Sequence, residues 1–231
     1  MVLTEAQEQD LKARFLRRYR SDTLWAIMRR AYSEPHRHYH NLSHLAALFS
    51  HFDRVRHLLH YPDAVEDALW WHDFVYSVGE DRGENERLSA EAMRTNVMRY
   101  AATLPADERA ARNNLDIAVA FIMATIDHAI PAELLADKLL AADAALFLDI
   151  DLSVLAGDTA DIRRFEDGVR QEYIQYANRI YTFGRIVVLQ GLLKRVRIFL
   201  SPTFAPLEGK ARENLQMLIN ELTTLRERSE G

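Results

Sequence analysis

Apolar side chains recur at three- and four-residue steps through most of the chain, and no strand-like alternation runs longer than a few residues. The pattern predicts an all-α fold of about nine or ten helices. Leu11, Phe15, Leu16 and Tyr19 form the first stripe, opened by a capping box of Thr4 and Gln7. A second helix begins at Asp22 and passes through Trp25, Ile27, Met28 and Tyr32. Ser33 to His40 reads as irregular, because Glu34 precedes a proline and is pushed away from helical dihedrals. Asn41 then caps a helix through Leu45, Leu48, Phe49, Phe52, Val55 and Leu59, with His44 in its first turn. Tyr61-Pro62 breaks it. The next helix, from about Asp63 to Tyr76, opens on a capping box of Asp63 and Glu66 and keeps Val65, Ala68, Leu69 and His72 on its inward stripe.

A loop from Ser77 to Glu84 leads to a helix from about Asn85 to Ala102. Pro105 and Asp107 open another, through Leu115, Ala118, Phe121, Ile122 and Thr125, ending near Asp127-His128. The segment Leu134 to Leu155 reads as one long helix carrying three acids, Asp143, Asp149 and Asp151, with Gly157 as its stop. Helices from Ala160 to about Ala177, from Ile180 to Leu200 with Ser201-Pro202 as its stop, and from Leu207 to Arg228 complete the chain. No repeat, low-complexity tract or composition shift marks a division. The expectation is one helical domain over 1–231, with 1–32 and 203–231 as flanking helices.

Composition narrows the chemistry. Net charge is -5 over 231 residues, against a partner role for extended nucleic acid, although a local basic pocket for one phosphate remains compatible with it. No cysteine is present, so disulfides and thiolate metal sites are excluded and any metal must be held by imidazole and oxygen. The N-terminus has no basic segment followed by an apolar core, and no apolar run approaches the roughly 20 residues needed to span a bilayer. The expectation is a soluble cytoplasmic protein with no membrane partner. The apolar helix Ile180–Leu200 reads equally as core or as the face of a homodimer.

The pair His72-Asp73 closes an apolar helix and points inward. A carboxylate carried toward a core costs several kcal/mol unless it is paired, hydrogen-bonded or bound to a metal. The two helices on either side of the Tyr61 turn should pack antiparallel, which places His44, at the start of one, beside His72 and Asp73, at the end of the other. A sulfur-free metal site would draw on these three and on an Asp near residue 150.

The ordered runs Glu34-Pro-His-Arg-His-Tyr-His-Asn-Leu-Ser-His44, Trp71-His-Asp-Phe-Val-Tyr76, Asn85-Glu-Arg-Leu-Ser-Ala90 and Leu148-Asp-Ile-Asp-Leu-Ser-Val-Leu-Ala-Gly157 resemble the metal-dependent phosphohydrolases of the HD superfamily. More narrowly, they resemble the branch that shares YHN-x-x-H, HDxVY and DxDL motifs. Arg170-Gln-Glu-Tyr173 and Tyr181-Thr-Phe-Gly-Arg185 fit that branch as well, so the likeness spans residues 32 to 200. Carried over residue by residue, it implies an HD-like fold in which His44, His72, Asp73 and one late Asp bind a divalent cation. Asp151, followed by Gly157, fits the late motif best, ahead of Asp149 and Asp143; Leu155-Ala156-Gly157 departs from the branch's Leu-Gly.

Two imidazoles and two carboxylates suit Mn, Fe, Co, Ni or Zn, with Mg also compatible, and Ca less so. The resemblance implies a small phosphorylated substrate, a nucleotide among the options, attacked by metal-activated water. Asp73 is then also catalytic, Glu86 and His128 are candidates for proton transfer or phosphate contact, and Arg37, Arg170 and Arg185 for substrate binding. Each has a plainer reading: a core histidine for His72, a solvated or salt-bridged acid for Asp151, a rim salt bridge for Arg185, packing for Trp70, Trp71, Phe74 and Tyr76. His40 and His44, four residues apart, are an alternative chelating pair. At the level of function, the rival is a non-catalytic helical module holding a structural metal or sensing a nucleotide. An oxygen-activating iron pair is a weaker third reading, since the Glu-x-x-His pairs such bundles use are missing.

Overall fold

The protein, described here by a computed structural model covering residues 3–101 and 114–230, holds eleven α-helices and no strand among those residues. The expected helix start at Pro105 and Asp107 lies outside the described residues. Internal contacts divide the chain into two compact units, Met1–Leu148 and Asp149–Gly231, where the sequence marked no division.

The first unit opens on α1 (Glu5–Tyr19), whose Thr4–Gln7 capping box forms as expected, followed by α2 (Asp22–Ala31), capped by Ser21. In α3 (Leu42–Val55) the Asn41 side chain accepts from the Ser43 N–H. Leu45, Leu48, Phe49 and Phe52 turn to the core from α3, and Phe15 and Tyr19 from α1. Against them lies α4 (Pro62–Trp71), with Val65, Ala68, Leu69, Trp70 and Trp71 fully buried. Trp70 is walled by Phe15, Phe49 and Trp25, at ring-centroid separations of 5.0, 4.4 and 6.4 Å. The aromatic stripe is therefore packing at both tryptophans.

The capping box expected of Asp63 and Glu66 does not form: Pro62 occupies the first helical position and Asp63 accepts from Arg18 instead. The open N–H groups at this end go to a remote partner. Asp143, fully buried, accepts from the backbone N–H of His60 at 3.0 Å and of Tyr61 at 2.6 Å. Glu66 stays buried, and desolvation pushes its carboxyl up despite the Arg18 and Arg14 charges. α4 also stops five residues before the expected Tyr76. The Phe74 N–H bonds the Trp71 carbonyl, tightening the last turn, and the following carbonyls are taken by an arginine described below.

The unit continues through α5 (Glu84–Ala101), α6 (Leu115–Ala124), the four-residue α7 (Ala132–Leu135) and the start of α8 (Lys138–Leu152). The expected single helix from Leu134 is thus broken: Asp137 accepts from the Leu139 and Leu140 N–H groups and so starts α8 afresh.

The second unit begins within α8, passes a 3-10 turn over Ser153–Ala156, and contains α9 (Thr159–Glu172), α10 (Asn178–Leu193) and α11 (Glu208–Glu230). α9 and α10 both end earlier than their periodicity suggests, because side chains capture the backbone that would have extended them. Arg170 donates to the carbonyls of Tyr173 and Tyr176, and Arg212 to those of Leu193, Arg195 and Val196. Carboxylates take the complementary N–H groups: Glu208 those of Ile198 and Phe199, Asp149 those of Leu200 and Ser201, both at 2.7 Å.

Burial pushes the Asp149 carboxyl up to about 6, the N–H donors of Ser201 and Leu200 opposing it. Between the ordinary carboxylate value near 4 and about 6, the folded chain holds a proton that the unfolded chain has released. Folding takes up a proton there, so this group's contribution is greatest below about pH 4 and is lost as pH rises through about 6. Thermal melts across that window should show the decline in the wild type and a shallower one in Asp149→Asn; equal slopes would contradict the assignment.

Candidate metal centre

The site forms where α3 and α4 meet. The chain between them is only a 3-10 turn over Arg56–Leu58 and the residues up to Tyr61, and α3 packs against α4. The start of α3 consequently lies beside the end of α4, as the antiparallel argument requires. His44 Nε2 is 3.4 Å from His72 Nε2 and 3.6 Å from Asp73 Oδ2, and His72 Nε2 is 3.0 Å from that same oxygen. Both imidazoles are buried, whereas the Asp73 side chain keeps 21 % of its surface exposed. The cluster is closed on its histidine side and reachable on its carboxylate side.

Two neighbours fix this geometry. His72 Nδ1 donates to the Leu69 carbonyl at 3.1 Å; a carbonyl only accepts, so Nδ1 carries a proton and Nε2 is turned toward His44 and Asp73. Arg37, buried on the irregular segment, donates to the backbone carbonyls of Asp73 and Phe74 at 2.6 and 2.8 Å, and to Glu34 and His40. Its guanidinium also lies over the Tyr32 and Tyr76 rings. With its donors so engaged, Arg37 positions the His-Asp turn, a different role from the substrate contact expected of it. Ser89 adds a hydrogen bond to the Val75 N–H.

Burial pushes the Asp73 carboxyl up, but the imidazoles of His72, His40 and His44 outweigh it and hold the group well below the usual carboxylate range. Asp73 is ionised at neutral pH. An anionic oxygen and two imidazole nitrogens converging in a partly buried pocket are a donor set suited to a divalent cation, and His44 and His72 are among the residues that could hold a metal ion.

The late acids separate by their partners. Asp143 and Asp149 serve backbone N–H groups of the first and second units respectively. Asp151 stands in the last turn of α8, four residues after Phe147, on the same face of that helix. Phe147 itself meets the His72 ring edge-on at 6.3 Å.

His40 stacks on Tyr76 at 4.3 Å, and its ring centroid is 5.9 Å from that of His44. Glu86 is half-buried in the first turn of α5. His128 is half-buried in the turn after α6, with a left-handed φ of 44°. Arg170 and Arg185 come together in the second unit: Arg185 pairs with Glu166 at 2.9 Å, Tyr181 donates to the other Glu166 oxygen at 2.5 Å, and Arg170 lies over the Tyr181 ring. Arg185 thus takes the salt bridge of its plainer reading. The sequence reading missed the Leu69 carbonyl and the Arg37 clamp; the one signal for the former was its place three residues before His72, among the carbonyls a helix end leaves without intrahelical partners.

Among the described residues no helix is long and apolar enough to cross a membrane. Comparisons with protein-family models, curated proteins and solved structures find no match, so the site stands on the chain's own geometry.

Proposed function

We propose that the chain is a metal-dependent phosphohydrolase acting on a small phosphorylated molecule, with a nucleotide among the candidate substrates. The observation that carries the reading is the convergence of His44 Nε2, His72 Nε2 and Asp73 Oδ2 within 3.6 Å of one another at the end of a buried helix. The motif likeness to HD-superfamily phosphohydrolases supports it. In this reading His44, His72, Asp73 and Asp151 hold the cation, which when bound supplies a water of lowered pKa and a positive charge for a phosphoryl oxygen. The buried imidazoles anchor, and the exposed side of Asp73 leaves room for water and phosphate. Arg37 keeps the Asp73 backbone in place, and Glu86 and His128 are the proposed partners for proton transfer and phosphate contact.

A screen of phosphomonoesters and nucleotides in the presence of Mn, Fe, Co, Ni, Zn or Mg tests the activity; no turnover with any of them would overturn it. Metal affinity has its own signature. Ligation requires neutral imidazoles, so protons compete with the cation as pH falls through the ordinary histidine range near 6.5. Titrations at pH 7.5, 6.5 and 5.5 should show affinity falling progressively, and a constant affinity would exclude imidazole ligation.

The near-complete burial of His44 and His72 and their placement on two helices favour one second reading, a structural metal that fastens α3 to α4. In that case metal binding is part of folding, and removing the metal lowers stability rather than turnover.

A further inference from the structure

Helix α10 is apolar on two sides. Tyr181, Thr182, Ile186 and Leu189 are buried, and the helix packs on α11. On the opposite side Ile180, Phe183, Val187 and Val188 are 59 %, 63 %, 53 % and 52 % exposed. Between them sit Gly184 and Gly191, where an added Cβ would meet nothing within 4 Å. Positions 180, 183, 184, 187, 188 and 191 follow steps of three and one, so all six share one stripe. A helix buried along one apolar side has no internal need of a second one, and an exposed apolar stripe marks a contact site.

We propose that this stripe is the contact face of a homodimer, in which α10 packs antiparallel on its copy about a two-fold axis passing between residues 185 and 186. The argument for a second copy of this chain is self-complementarity. A two-fold axis at that point sets Ile180 of one copy opposite Gly191 of the other, Val187 opposite Gly184, and Phe183 opposite Val188. Each large side chain but Phe183 faces either a glycine hollow or, for Val188, that phenylalanine, and every pairing occurs twice, as an isologous interface requires. Running the copies parallel and in register puts glycine on glycine, and shifting the axis by one residue sets Gly184 opposite Leu189 or Arg185 instead of Val187 and loses the fit.

The area agrees. Side chains of these sizes at these exposures present on the order of 450 Å² of apolar surface. A stable interface buries about 800 Å² per partner, so the stripe supplies more than half before its flanks are counted.

The test is sedimentation equilibrium on the full chain. The wild type should dimerise with a Kd in roughly the micromolar range, and Phe183→Glu combined with Val187→Glu should weaken the dimer by about 100-fold or more. Both positions are exposed in the single chain, so at concentrations below the dimer Kd the variant keeps the wild-type melting temperature. Since the chain has no cysteine, orientation can be read by oxidation. A mixture of Gly184→Cys and Val187→Cys chains should cross-link faster than either variant alone. A wild type that stays monomeric at about 100 µM, a dimer that survives the glutamates, or fastest cross-linking of Gly184→Cys with itself would each overturn the proposal.

Discussion

Replacing Asp73 by alanine is expected to lower phosphoester turnover by about 1,000-fold or more while moving the melting temperature by no more than about 3 °C. Its carboxylate is the exposed member of the cluster and is held ionised by the surrounding imidazoles against the opposing effect of burial. Removing it takes away an anionic ligand on the side where substrate would approach. The turn itself stays, because Arg37 holds it through the backbone carbonyls of Asp73 and Phe74, which alanine retains. Turnover and melting curves on the same preparations separate the two readings of the site. A structural metal predicts the reverse pattern, a large drop in melting temperature.

The second large effect is on stability and lies six residues earlier, at Asp67. Asp67 is 2 % exposed and accepts from Arg18 Nε at 2.8 Å, from Arg18 Nη2 at 2.6 Å and from the Tyr19 hydroxyl at 2.5 Å. Trp71 Nε1 donates in turn to the Tyr19 oxygen at 3.0 Å. Burial and the adjacent carboxylate push the Tyr19 hydroxyl well above its ordinary value, so it remains a donor. This network fastens α1 to the helix that presents His72. Asp67→Ala leaves the Arg18 charge inside with its main partner gone, and loss of one member of a buried pair costs about 3–5 kcal/mol. Urea unfolding should show a loss of that size, and a loss below about 1 kcal/mol would mean that the network does not anchor α4. The Asp73 variant should be nearly silent in the same assay, so the pair of substitutions distinguishes the support of the site from its chemistry.

What the sequence made legible follows from which forces are local. The stripes of α1 and α4 and the caps at Thr4 and Asn41 depend on residues within one or two turns, and they form as read, while the α3 stripe forms only as far as Val55 and stops short of Leu59. The approach of His44 to His72 was legible too, because a short connection between two helices leaves little freedom in how their ends meet. The errors are at helix ends, where the deciding partner is remote. Asp143 satisfies the start of α4 from more than 80 positions away, Arg37 holds the turn that follows it, and Arg212 with Asp149 and Glu208 stops the extension of α10. No window of neighbouring residues contains those interactions. The same long-range partners resolve the puzzle of three acids on one helix, since two of the three serve backbone N–H groups.

Metal at the convergence of His44, His72 and Asp73 is read out by elemental analysis of the purified wild type, repeated after incubation with Mn, Fe, Co, Ni and Zn and removal of the excess. About one or more equivalents of a transition metal per chain are expected, lost when His72 is replaced by alanine. A wild type that carries no metal and takes up none of the five would contradict a metal site there.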